Sequence, residues 1–234
     1  MQPQSRLPLG DQAWFLFHSH YGADVLIAEP VFNLVLGGAL IAELWFAGHV
    51  EITAEGLLAP SRNSSLAGPA RPGEPPPLPA TEFEQYSWKE INSRPALYPV
   101  RDWINFWAAN GPDQVRGRMA ERGLLERVRR NTYIPADSHV AAAPSVSQRY
   151  LIENKYHQYR EGDDVRQYYE TALLAGFSLA TNFDLEISRD SVLPADEFRA
   201  RLQYMVTNLQ PEMQFVLGEV GRAVSVQGRR PSRR

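Results

Sequence analysis

A long apolar run near the start of the chain dominates the pattern of hydrophobic and polar positions. From Pro30 to about Ala47 only Asn33 and Glu43 are polar, and a proline in the first turn is typical of a helix start. The run is shorter than the roughly 20 apolar residues that a bilayer requires, and it carries an acid in its last third. We therefore predict the buried central helix of a globular domain. Glu43 is predicted to be structural, bonded to a backbone group or to an arginine near the helix end.

Helical spacing recurs along most of the chain. Gly37 and Gly38 lie inside the apolar run and are predicted to let helices pack closely rather than to bind phosphate. Asp11 and Thr81 are predicted helix caps, and Glu84 completes a capping box with Thr81. Besides the central helix, the predicted helices are 11–18, 81–92, 98–109, 112–122, 165–179, 194–209 and 211–224. Gly123 is predicted to end the helix at 112–122.

Two short β-hairpins complete the predicted fold. Residues 49–60 alternate or run apolar around a polar turn, and residues 124–137, LLERVRRNTYIPAD, contain two strands around Arg129, Arg130 and Asn131. The predicted fold is mainly α, a single compact helical domain around the central apolar helix. Its predicted organisation is a flexible N-terminus at 1–10, the helical domain at 11–225 with a Pro/Ser/Gly-rich loop at 59–80, and a disordered basic tail at 226–234.

Composition excludes several classes of function. The chain has 234 residues, a net charge of -3 and no cysteine, which argues against a nucleic-acid binder and excludes thiolate chemistry. No secretory signal is recognised, so we expect a cytoplasmic protein. The five histidines form no HExxH motif, and GxSxG, GxGxxG and phosphate-loop motifs are missing from the sequence. No catalytic residue, metal or cofactor is therefore predicted, and we do not expect an enzyme.

A basic and aromatic patch is the most unusual chemistry in the sequence. Arginine binds phosphate bidentately, and an apolar pair beside arginines can enter the headgroup layer of a membrane. The candidate headgroup-binding residues are Arg116, Arg118, Arg127, Arg129 and Arg130, and the candidate membrane-inserting residues are Tyr133 and Ile134. The alternative is a solvated helix face, interleaved with acids, in which Tyr133 packs inward.

Two motifs resemble those of the Golgi phosphoprotein 3 family. The first is ALIAELWFAGHVEI, a helix ending in a Glu-Leu pair and followed by Gly and a strand. The second is VRDWINFWAANGPDQVRGRMAERGLLERV, a tryptophan helix and then an arginine helix ending in Gly-x-Leu. ALLAGFSLATNF is similar to a later apolar helix of the family. Together the motifs cover roughly residues 7–224, and the lysine-poor composition favours a bacterial member.

The resemblance implies a peripheral membrane protein. Eukaryotic members bind phosphatidylinositol 4-phosphate and recruit membrane enzymes through their cytoplasmic tails, and an apolar hairpin aids insertion. That hairpin corresponds here to residues 126–136. The pocket tryptophan and arginine of those relatives are replaced by Ala28 and Gly37, and their later pocket arginines fall near Ala109 and Pro112.

We therefore predict a protein that docks on anionic, phosphoinositide-like lipids and acts as a membrane adaptor. Cytoplasmic tails of membrane proteins are the expected protein partners, and a homo-oligomer is left open. The alternative is a protein-interaction adaptor or accessory factor without lipid binding.

Overall fold

The computed structural model describes residues 7–18, 24–61, 81–129, 132–136 and 165–228. Within them the helices are α1 (Leu9–Leu16), α2 (Glu29–Phe46), α3 (Glu82–Asn92), α4 (Val100–Glu121), α5 (Val165–Thr181), α6 (Asp184–Ile187), α7 (Ala195–Thr207) and α8 (Pro211–Gly228). The strands are β1 (Val50–Ile52), β2 (Leu57–Pro60), β3 (Tyr98–Pro99), β4 (Leu125–Arg129) and β5 (Thr132–Pro135). The predicted fold class, mainly α with small hairpins, is confirmed.

Helix α2 is the centre of the fold. It packs most extensively against α4 and also contacts α1, α5 and α8. A Cβ added at Gly37 would overlap the backbone carbonyl oxygen of Ile104 on α4, and one added at Gly38 would press on Val220 of α8 and Phe177 of α5. The prediction that these glycines allow close helix packing is confirmed.

By length and composition alone, α2 also qualifies as a membrane span. Its mean hydropathy is 1.3, and 67% of the helix is buried inside the fold. A membrane span would present its apolar surface to lipid, whereas here the neighbouring helices cover most of it. The burial therefore favours the core helix of a globular domain, as the sequence predicts.

Helix α4 corrects the sequence prediction of two separate helices. It runs without a break from Val100 to Glu121, with Pro112 in its interior. An interior proline costs about 3 kcal/mol. Val115 and Met119, which follow it, are fully buried, and burying two such side chains stabilises by about 3 to 6 kcal/mol. Packing therefore keeps the helix continuous through the proline.

The predicted turn chemistry is confirmed at two helix ends. Thr81 Oγ1 accepts from the N–H of Glu84, and the Glu84 carboxylate accepts from the N–H of Thr81, at 3.2 and 2.6 Å. Gly123 has a φ of 68° directly after α4, a conformation that glycine adopts without steric cost. This turn leads into β4 and so positions the second hairpin.

The strands form two small antiparallel sheets. Strands β1 and β2 pair as the first predicted hairpin, and β3 adds to the edge of β2. Strands β4 and β5 form a separate two-stranded sheet. Both predicted hairpins are therefore present, at the ends of α2 and α4 respectively.

The two ends of the domain differ from the predicted boundaries. Helix α1 begins at Leu9, inside the segment predicted to be flexible, because Leu9 is buried in the core. Its N-cap is Pro8, so Asp11 is not the cap but an interior helical residue. Helix α8 continues to Gly228, so the start of the predicted tail is helical. The remainder of that tail, and residues 62–80 of the predicted loop, lie outside the described residues.

Candidate functional site

The hairpin of β4 and β5 carries two of the predicted headgroup-binding residues, Arg127 and Arg129. Arg127 lies opposite Tyr133 and Arg129 opposite Thr132, with a register shift at Val128 between them. The side chains of β4 from residue 126 to residue 129 are exposed. Arg127 Nε donates a long hydrogen bond, 3.4 Å, to the carbonyl of Arg129. Arg130 lies outside the described residues.

The apolar side chains of this hairpin are arranged differently from the sequence prediction. Tyr133 and Ile134 are both half-buried, and Tyr133 packs against the core. Val128 is 49% exposed. Because a bulge residue is displaced from regular pairing, Val128 projects where the strand bends. Val128 is therefore the more exposed apolar side chain of the hairpin, and Tyr133 is turned towards the core.

Arg118 belongs to a buried ion network rather than to the surface patch. Its Nε donates to Asp11 Oδ1 at 2.6 Å, and its two terminal nitrogens donate to the two Glu43 oxygens at 2.8 and 2.7 Å. Glu43 Oε1 also accepts from the backbone N–H of Gly10 at 2.5 Å. Arg122 completes the network by donating to Asp11 Oδ2 at 3.0 Å. The interaction therefore joins α1, α2 and α4.

This network confirms the structural role predicted for Glu43, which bonds both a backbone group and an arginine. It also gives Arg118 a different task from the predicted one, since its guanidinium is engaged by internal carboxylates. The hydrogen bonds from the Arg118 guanidinium replace the hydration that the two buried carboxylates have lost.

The protonation of the network follows from its burial. Burial raises the pKa of Asp11 to about 6, although Arg118 and Arg122 act in the opposite direction. Burial also opposes the charge of Arg118, but the attraction of Glu43 and Asp11 is stronger and raises its pKa above the ordinary value. Arg118 is therefore always charged, whereas Asp11 exchanges its proton in weakly acidic solution.

Arg116 lies on the same helix as Arg118 but in a different environment. It pairs with Asp113, whose side chain is 87% exposed, and such surface pairs contribute little to stability. Its charge acts on His18 and adds to the lowering of the pKa of that histidine. Arg116 is therefore a partly exposed cation at one side of the fold.

The surroundings of His18 are those of a core residue. Its ring stacks on Trp14 at 3.6 Å between centroids, and its Nδ1 donates to the Trp14 carbonyl at 2.8 Å. Burial lowers its pKa to about 4. In the part of the chain that the structure describes, no group of three or more His, Asp or Glu side chains is arranged to hold a metal.

The comparison with protein families gives one result that covers most of the chain. The model described as Golgi phosphoprotein 3 (GPP34) matches residues 12–225. The chain belongs to the Golgi phosphoprotein 3 family. A comparison with curated proteins found no match.

The positions that the sequence resemblance assigns to the lipid pocket of eukaryotic relatives do not form a cationic pocket here. Ala28 is the N-cap of α2, and Gly37 is buried where α2 touches α4. An arginine at Gly37 would collide with the backbone of α4, because even a Cβ has no room there. Pro112 is buried and Ala109 is exposed. In this Golgi phosphoprotein 3 family member these four positions supply no cation.

Sequence reasoning missed the roles of two residues, Asp11 and Val128. Asp11 was assigned to a cap, although its side chain is fully buried against Arg118 and Arg122. Its position on the apolar stripe of α1, among buried aromatic residues, was the available signal. Val128 gave no signal, since a β-bulge depends on the pairing of both strands.

Proposed function

We propose that this protein is a peripheral membrane adaptor that docks on anionic lipid headgroups, working from the cytoplasm. The observation that carries the proposal is the exposed Arg127-Val128-Arg129 segment of a hairpin that projects from the end of α4. Membership of the Golgi phosphoprotein 3 family supports it, because that family is generally one of non-catalytic, lipid-binding adaptors.

Charge and shape favour the hairpin over other exposed arginines. Each basic residue near an anionic membrane contributes about 1 kcal/mol. Arg189 and Arg201 are exposed as well, and they lie outside the hairpin. On β4 the two arginines flank an exposed valine, so charge attraction and shallow apolar insertion act at one point.

The docking is expected to be reversible and sensitive to salt. Two arginines provide about 2 kcal/mol, or about thirtyfold in affinity, and Arg116 can add to this from the nearby helix. Arg118 is not included, because the internal network engages it. Tyr133 contributes by holding the hairpin against the core rather than by insertion.

The test is vesicle co-sedimentation with the full chain. We expect much stronger binding to vesicles that contain phosphatidylglycerol or phosphatidylinositol 4-phosphate than to pure phosphatidylcholine, and weaker binding to the anionic vesicles at high salt. Arg127→Ala/Arg129→Ala should weaken the binding about thirtyfold. The matched control, Arg189→Ala/Arg201→Ala, removes the same charge elsewhere.

If the two double variants bind equally, the hairpin is not the docking site. If the wild-type chain binds none of the anionic vesicles, the alternative of an adaptor without lipid binding is favoured. A Val128→Ser variant separates the two contributions, because it removes the apolar side chain without changing the charge and should reduce binding even at low salt.

A further inference from the structure

A small cleft at the other end of α4 combines aromatic faces with both signs of charge. It has a volume of about 160 Å³ and is lined by Arg94, Tyr98, Asp102, Trp103 and Phe106. Arg94 follows α3, Tyr98 lies on β3, and the other three belong to the first turns of α4. At 1.5 Å per residue, the start of β4 lies about 30 Å away along α4. The cleft is therefore separate from the proposed docking hairpin.

The aromatic rings of the cleft form a corner that suits a cation. The centroids of Trp103 and Phe106 are 5.5 Å apart, and the two rings meet at 78°. A cation in such a corner lies against two negative ring faces at once. Tyr98, which is 37% exposed, adds a third ring at the rim.

An internal cation already occupies this corner. The Cζ atom of Arg94 lies 5.7 Å from the centroid of Trp103 and 5.6 Å from that of Phe106. Both distances are within the range of a cation–π contact. Arg94 is held there loosely, because its side chain is 38% exposed and its ion pair with Glu90 spans 3.3 Å at the surface. A long side chain of this kind can leave the rings without disturbing the core.

We propose that this cleft binds a quaternary ammonium group, which displaces Arg94 from the rings of Trp103 and Phe106. The rings supply the cation–π contact, and the Asp102 carboxylate at the rim supplies a countercharge that an aromatic surface alone would lack. The cavity accommodates a headgroup of this size and no large ligand. The same chemistry occurs in free choline and in the headgroup of phosphatidylcholine, so the experiment includes both sources.

Choline is the probe, and its uncharged carbon analogue dimethylbutanol is the chemical control. Binding is measured by saturation-transfer NMR on the methyl protons and by tryptophan fluorescence. Choline should bind about two- to thirtyfold more tightly than the neutral analogue, the range expected for a cation–π contact. Competition by phosphatidylcholine vesicles would identify the lipid headgroup as the source, and its absence would identify a soluble cation.

Variants of the rim test the mechanism without touching the core. Arg94→Ala removes the internal competitor and should strengthen choline binding about two- to fivefold. Asp102→Asn should weaken it up to about fivefold. Arg101→Ala is the matched control, because Arg101 pairs with Glu219 and does not line the cleft. The proposal is overturned if choline binds no better than dimethylbutanol. It is also overturned if Arg94→Ala leaves the affinity for choline unchanged or lowers it.

Discussion

Replacing Arg118 by methionine should destabilise the protein strongly, because it leaves two buried carboxylates without their main partner. The side chain of Arg118 is 18% exposed, that of Glu43 is 9% exposed, and that of Asp11 is fully buried. Arg118 provides three of the charged hydrogen bonds in the network. Breaking a buried ion pair from one side costs about 3 to 5 kcal/mol. The contact of Arg118 with the Phe83 ring, at 5.6 Å, adds to the loss.

The loss should depend on pH, and its sign follows from the burial of the carboxylates. Burial raises the pKa of Asp11 to about 6 even with Arg118 present. Without Arg118 the pKa of Asp11 lies higher still, because an attraction that lowers it has been removed. In the variant the charged Asp11 carboxylate is costly above its pKa and becomes neutral below it. Destabilisation should therefore be full at pH 8 and much smaller at pH 5.

Urea unfolding followed by circular dichroism measures this difference at the two pH values. Arg116→Met is the matched control, since Arg116 lies on the same helix and its partner Asp113 is exposed. The control should lose less than about 1 kcal/mol at either pH. A loss below 1 kcal/mol for Arg118→Met, or one that is equal at pH 5 and pH 8, would refute the ion network as described.

Two further predictions concern the core. Gly37→Ala should lower stability by about 1 to 3 kcal/mol or more, because its Cβ meets the backbone oxygen of Ile104. Gly117→Ala, with nothing within 4 Å of the added Cβ, should be neutral or stabilising by up to about 1 kcal/mol. Equal thermal denaturation midpoints for Gly37→Ala and Gly117→Ala would contradict this reasoning. Because burial lowers the pKa of His18 to about 4, its contribution to stability is full above pH 6.5 and is lost as the pH falls towards 4, by about 3 kcal/mol. Chemical unfolding across this range should show that loss relative to His18→Gln, and parallel profiles would contradict it.

Local chemistry was sufficient to predict those parts of the fold that neighbouring residues determine. The capping box of Thr81 and Glu84 and the left-handed turn at Gly123 both depend on a few adjacent residues. The close packing at Gly37 was also predictable, because a glycine inside an apolar helix has few other uses. These features are local, and the fold retains them.

Longer-range competition decided the features that the sequence misjudged. A new helix was predicted to begin at Pro112. The burial of Val115 and Met119 outweighs the cost of one proline, so α4 continues through it. Asp11 was given a capping role, although it lies 107 positions before its partner Arg118. No local rule connects residues at that separation, since only the folded arrangement of α1 and α4 brings them together.

The ion network relates the family's Glu-Leu motif to the fold. Glu43, the acid of the Glu-Leu motif, bonds Gly10 and Arg118 and so ties three helices at one point. A motif of this kind reports the packing of the interior, and the family model matches the chain over residues 12–225. The hairpin follows α4 through the Gly123 turn, and residues 126–129 are exposed, so this part of its surface can change without altering that packing. The proposed docking residues, Arg127, Val128 and Arg129, therefore have to be tested on this chain itself, because the packing that the family shares does not determine them.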